Sequence, residues 1–162
     1  MRAIALSLLL FLTWPVAALE TGSPFPSLQA PRLDAEGLGR VDDHQGKVLY
    51  VDIWASWCPP CRIALPILQD LRERYGAQGF EVLGLNVDSD LRAAKMALSR
   101  AGTSYPVLHS LPDAELTALG IKTMPTAFLL DRSGRVRLVH EGFHRDDLPE
   151  LEHQIEQLLE ER

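Results

Sequence analysis

Cysteine is scarce in this chain, with only two among 162 residues. A zinc ribbon, which usually needs two C-x-x-C pairs, is therefore disfavoured, and the lone pair is better suited to chemistry than to stapling a fold. Long apolar runs are also missing. The longest, Ala3 to Leu12 with Ser7 inside it, holds about ten apolar residues, against the ~20 that a membrane-spanning helix needs. Positive charge is in deficit, with 16 Lys and Arg against 22 Asp and Glu and a formal charge of −6, which argues against a nucleic-acid partner. Repeats and low-complexity tracts are absent. What remains, 46% hydrophobic and 23% charged residues, is the balance of one soluble globular domain with a real core.

The first residues differ from the rest. Met1-Arg2 supplies a positive start, the apolar stretch follows, Pro15 interrupts it, and Val16-Ala17-Ala18 places small residues where a signal peptidase cuts. Residues 1–18 read as a secretory signal peptide and the protein as exported, with an uncleaved N-terminal membrane anchor as the alternative. Loss of Arg2 with the signal would leave the chain more acidic still. Residues 19–31, rich in Pro, Ser and Gly, read as a linker, and 32–162 as the folded domain.

Within that domain, Arg32 to Gly46 fits a short hairpin or loop. Val48 to Trp54 is apolar except for Asp52, as in a central strand buried on both faces. From Pro59 the period becomes helical, with Ala64, Leu68, Leu71 and Tyr75 on one face, Pro66 inside and Gly76 at the end. Phe80 to Asp88 reads as a second strand, and Leu91, Ala94 and Leu98 mark a helix stopped by Gly102. Tyr105 to Leu108 is a short extended piece, followed by a short helix over Asp113 to Leu119. Thr126–Leu130 and Arg135–Val139 flank Asp131-Arg132-Ser133-Gly134 as an antiparallel hairpin, and Leu148, Leu151, Ile155 and Leu158 give a last amphipathic helix. This order implies an α/β fold with a mixed central sheet and helices on both faces.

The cysteines stand in Trp54-Ala55-Ser56-Trp57-Cys58-Pro59-Pro60-Cys61-Arg62, at the turn from strand to helix. Such a pair can close a disulfide, hold a soft metal or cycle between dithiol and disulfide. A helix N-terminus stabilises a thiolate, so Cys58 is placed to attack a disulfide, and Cys61, one turn further in, to resolve the mixed disulfide.

The segment VDIWASWCPPC, a proline five residues after the second cysteine, and GIKTMPTAFLLD with a later glycine together resemble thioredoxin from about Val48 to the C-terminus. The WASWCPPCR form, the Asn86-Val87-Asp88 strand end and the leading signal resemble more closely the exported TlpA-like branch. The resemblance implies a thioredoxin fold with a short N-terminal extension. It implies a periplasmic thiol:disulfide oxidoreductase that reduces disulfides of client proteins, with no cofactor beyond the Cys58–Cys61 disulfide, acting as a monomer. Its partners would be client proteins with thiols or a disulfide, such as those of cytochrome c maturation or copper-site assembly, and an upstream membrane electron donor. Asp52 falls on the family's buried acid, a candidate proton acceptor for Cys61. Pro66 falls on the helix-kinking proline and Pro125 on the cis-proline, with the Met124 backbone offered to an extended substrate. Pro60 belongs to the active-site turn, Trp57 to its covering surface, and Trp54 to the core. The lysine that neighbours the acid in many thioredoxins falls at Gly84, a departure.

Two rival readings stay open: a Cu(I)-binding metallochaperone-like module, since thiolates select that ion, and an oxidase or isomerase running the same couple in the other direction. Met124-Pro125 could also serve a binding role without redox. His140 and His144 straddle Gly142 and read as polar residues of the hairpin and its loop. A peroxidatic P-x-x-x-[TS]-x-x-C pattern does not precede Cys58.

Overall fold

The computed structural model describes residues 19–161, so the expected signal at 1–18 lies outside the described residues. Strands β1 (Gln29–Pro31) and β2 (Leu38–Arg40) pair antiparallel as a small hairpin. The main sheet comprises β3 (Val48–Trp54), β4 (Phe80–Asn86), β5 (Val107–His109), β6 (Thr126–Leu130) and β7 (Val136–Glu141) in the order β5-β4-β3-β6-β7. Strand β3 runs parallel to β4 and β4 to β5, whereas β6 is antiparallel to both β3 and β7. Helices α1 (Pro59–Tyr75), α2 (Leu91–Ala101), α3 (Asp113–Ala118) and α4 (Leu148–Glu160) connect and cover it. The fold is the thioredoxin fold, with helices on both faces of a mixed sheet.

Side chains alternate across a strand, so β3 splits its residues between two cores. Val48, Tyr50 and Trp54 join Ala64, Leu65, Leu68 and Leu71 of α1, Ala94 and Leu98 of α2, and Leu151, Ile155 and Leu158 of α4. Leu49, Val51 and Ile53 join Phe128, Leu83, Leu85 and the flank of α3 at Leu116 and Leu119. Asp52, even-numbered, faces the first core.

The second core corrects the linker reading of residues 19–31. Phe25 is 9% exposed and Leu28 only 2%, and the Phe25 ring meets Phe128 edge-on at 5.3 Å. Backbone bonds fix the path: Gly22 N–H to the Val136 carbonyl at 2.7 Å, Phe25 N–H to Gly134 at 2.9 Å, and Leu33 N–H to Val107 at 2.8 Å. This strap therefore reaches from the β6–β7 turn to β5. Three prolines and a glycine hid it, because an extended segment that packs through isolated apolar residues shows no period. The bond to Val107 also occupies part of the open edge of β5, where unpaired backbone groups would otherwise invite strand addition.

Candidate functional site

Cys58 ends the turn after β3 and is the N-cap of α1. Its Sγ accepts a hydrogen bond from the Cys61 N–H at 3.3 Å. Pro59 and Pro60 occupy the first helical turn, where no intrahelical N–H is required, so they fix the turn without loss of bonding. The two sulfurs form a disulfide across Cα atoms 5.3 Å apart. Cys58 is 3% exposed and Cys61 fully buried, so the outer sulfur is that of Cys58. Arg72 and Arg74 in the last turn complement the helix dipole at the other end of α1.

Around the pair, Trp57 is 63% exposed and Pro60 half-buried, while Trp54 lies in the core. The Met124–Pro125 peptide is cis. Because Ile53 pairs with Thr126, Pro125 lies level with Trp54, at the end of β3 from which the cysteine turn departs. The Pro125 carbonyl accepts from Gly142 N–H at 2.8 Å. Met124 is half-buried and touches both cores, and among the described residues its own N–H and carbonyl have no backbone partner.

Asp52 is buried to 1% exposure between Gly84 of β4 and Ala127 of β6, its sheet neighbours. Its Oδ2 has no hydrogen-bond partner, and burial pushes its carboxyl up to about 7. Neither neighbour offers a cation. A Cβ on Gly84 would approach Trp54 Nε1 to 3.0 Å and Val107 Cγ2 to 3.1 Å, so a lysine there would collide with the core. The acid's protonation is thus governed by desolvation alone.

Sequence reasoning missed what holds the cysteine turn. Asp88, just past β4, accepts from Ser56 N–H and Ser56 Oγ, both at 2.8 Å, and from Asn86 Nδ2 at 2.7 Å. Arg62 Nη1 adds a bond to the Ser56 carbonyl at 3.1 Å. This buried carboxylate ties the loop preceding Cys58 to the end of β4. The only signal was the Asn86-Val87-Asp88 string itself, since the partner Ser56 is remote in sequence. The histidines lie elsewhere: His140 Nδ1 shares a hydrogen bond with Tyr50 OH at 3.0 Å, and its Nε2 faces Asp147 at 3.2 Å.

The chain that carries this buried C-x-x-C disulfide at a helix N-terminus is matched by the family model described as Redoxin, over residues 20–155. The chain belongs to the Redoxin family. Within that family it is 30% identical over 125 residues to the thiol-disulfide oxidoreductase ResA of Geobacillus thermodenitrificans, covering 77% of this chain and 71% of that relative. ResA of Geobacillus kaustophilus is 31% identical over 103 residues, 64% of this chain and 59% of that one. Among solved structures, one assigned to the thiol:disulfide interchange protein DsbE of Chlorobium tepidum superposes with a TM-score of 0.82 at 35% identity, covering 88% of this chain and 99% of its own. A secreted thiol-disulfide isomerase from Corynebacterium glutamicum gives 0.72 at 27% identity over 85% and 86%. This Redoxin protein is a thioredoxin-like thiol-disulfide oxidoreductase that carries a Cys58–Cys61 C-x-x-C pair, and its partners bear thiols.

Proposed function

We propose that this Redoxin protein is exported and reduces disulfides of periplasmic client proteins, such as apocytochrome c or copper-site assembly proteins, with Cys58 as nucleophile and Cys61 as resolving thiol. The observation that carries the reading is the asymmetry of the pair: Cys58 caps α1 and accepts the Cys61 N–H, while Cys61 is sealed beneath it. In the dithiol form the Cys58 thiolate attacks one sulfur of the client disulfide. The client's other sulfur leaves as thiolate, and a mixed disulfide forms. Asp52, as carboxylate, takes the proton of Cys61. The new thiolate attacks Cys58 Sγ, closing the Cys58–Cys61 bond and releasing the second client thiolate. Two electrons pass to the client, and a donor dithiol returns them. The unpaired Met124 backbone gives the client segment a strand to align on, Pro125 and Pro60 shape the cleft, and Trp57 covers its rim.

The opposite direction has one observation in its favour, the likeness to a secreted isomerase. Equilibration of the Cys58–Cys61 couple against defined thiol buffers decides between them. A potential near the roughly −270 mV of thioredoxin supports the reductant, and one near the roughly −120 mV of a strong oxidant overturns it. Cys58→Ser is expected to abolish client reduction. Retention of activity in that variant would favour a binding role, and copper retained at equilibrium would favour the Cu(I) reading. Fractionation of cells expressing the full chain tests export.

A further inference from the structure

Beside the cysteine turn, α1 and α2 leave an open groove of about 430 Å³. Its lining is mostly apolar, with Leu65, Pro66, Ala93, Ala97, Ala101 and the exposed Met96, and its polar members are Ser56, Arg62 and Arg100. Four observations set it apart. No carboxylate lines it, whereas the groove at the start of α4 is lined by Glu141, Asp146, Asp147 and Glu150. Helix α2 holds three cations, Arg92, Lys95 and Arg100, and no acid, in a protein of formal charge −6. Arg92 lies one turn before Met96, so it shares that flank of the helix. Among the described residues none of these three, nor Arg62, joins a salt bridge, although Arg32, Arg40, Arg72, Arg74 and Arg137 all do. Pro66 adds a polar feature: having no N–H, it cannot bond the Arg62 carbonyl one turn back.

Cations that join no salt bridge, beside an apolar lining on an acidic protein, match a ligand that is both apolar and anionic. We propose that the α1–α2 groove docks an acidic client segment carrying an apolar anchor residue, and so presents the client's disulfide to Cys58. The anchor sits on Leu65, Ala93 and Ala97, flanking carboxylates meet Arg62 and Arg100, and a segment N–H meets the Arg62 carbonyl. The proposal deepens the client-reduction reading and rests on it.

The test uses a fluorescent, cysteine-free peptide alternating Leu with Glu, its Lys and Ser counterparts, and the uncharged disulfide hydroxyethyl disulfide. Wild type is expected to bind the Leu-Glu peptide at least tenfold more tightly than the Leu-Lys or Ser-Glu peptides at low ionic strength. The double variant Arg92→Glu with Arg100→Glu should lose that binding tenfold or more yet reduce hydroxyethyl disulfide at the wild-type rate, which also reports that it is folded. Met96→Glu should weaken binding in the same sense. Equal binding of acidic and basic peptides, unchanged binding in the double variant, or binding to phosphatidylglycerol vesicles in place of the peptide overturns the docking proposal. Failure of the wild type to reduce hydroxyethyl disulfide overturns instead the redox reading beneath it.

Discussion

The two faces of the sheet solve the same burial problem in different ways. On the even face of β3, three amphipathic helices pack onto Val48, Tyr50 and Trp54, and the core they make contains polar atoms with no partner: Asp52 Oδ2, Trp54 Nε1 and Tyr105 OH. On the odd face, Leu49, Val51 and Ile53 are covered by a short helix and an extended strap, and the contact is apolar, centred on Phe25 against Phe128. Unsatisfied buried polar groups cost free energy, so the even face carries a penalty at these three atoms, whereas on the odd face the only such atom among the described residues is Glu115 Oε2 of α3, away from the Phe25–Phe128 contact.

Removing a piece of the odd face should have the largest effect on folding. Phe25→Ala is expected to destabilise the protein by about 3 kcal/mol in urea unfolding, since it deletes a buried ring from a packed contact. The folded variant should keep its exchange chemistry at Cys58. A loss below ~0.5 kcal/mol would mean that the strap is a linker after all, and the contrast between the faces would fail.

Asp52→Asn sharpens the contrast from the other side. The folded carboxyl titrates at about 7, above its ordinary 3.8. The folded state therefore holds its proton where the unfolded chain has lost it, and the stability this group lends falls as pH rises from about 4 to 7. The Asn variant should then be more stable than wild type at pH 8, by roughly 2 kcal/mol, with the difference vanishing near pH 4. Client reduction should fall by roughly a hundredfold, and its rise with pH through 7 should flatten. An unchanged pH profile would remove Asp52 from the exchange step.

Trp57→Ala should be the mildest change. The ring is 63% exposed, so stability should shift by less than ~0.5 kcal/mol, while reduction of a protein client slows roughly two- to fivefold and that of a small disulfide does not change. Equal slowing of both would assign Trp57 to the sulfur chemistry rather than to the client surface.

The same contrast explains what could be read from the residues. The even face was legible because α1, α2 and α4 repeat their apolar residues at helical spacing and end at Gly76, Gly102 and after Leu158, and β3 matched its apolar run from Val48 to Trp54. Cys58, Cys61, Asp52 and Pro125 were legible as candidates because they fall on a motif. The strap was not, since Phe25 and Leu28 acquire meaning only through Phe128 and the sheet a hundred residues on. The role of Asp88 was hidden for the same reason: the Asn86-Val87-Asp88 string marks a strand end, but its two bonds to Ser56 are made across the fold.

The strap also fixes a polarity. Gly22 is bonded to Val136, whose partner Leu130 pairs with Leu49 at the start of β3, whereas Cys58 follows the end of that strand. The chain thus enters the domain at one pole and does its redox chemistry at the other, roughly 20 Å away along the strand. A tether running through Leu19 would hold the domain with Cys58 pointing outward, free to meet clients without rotation of the domain.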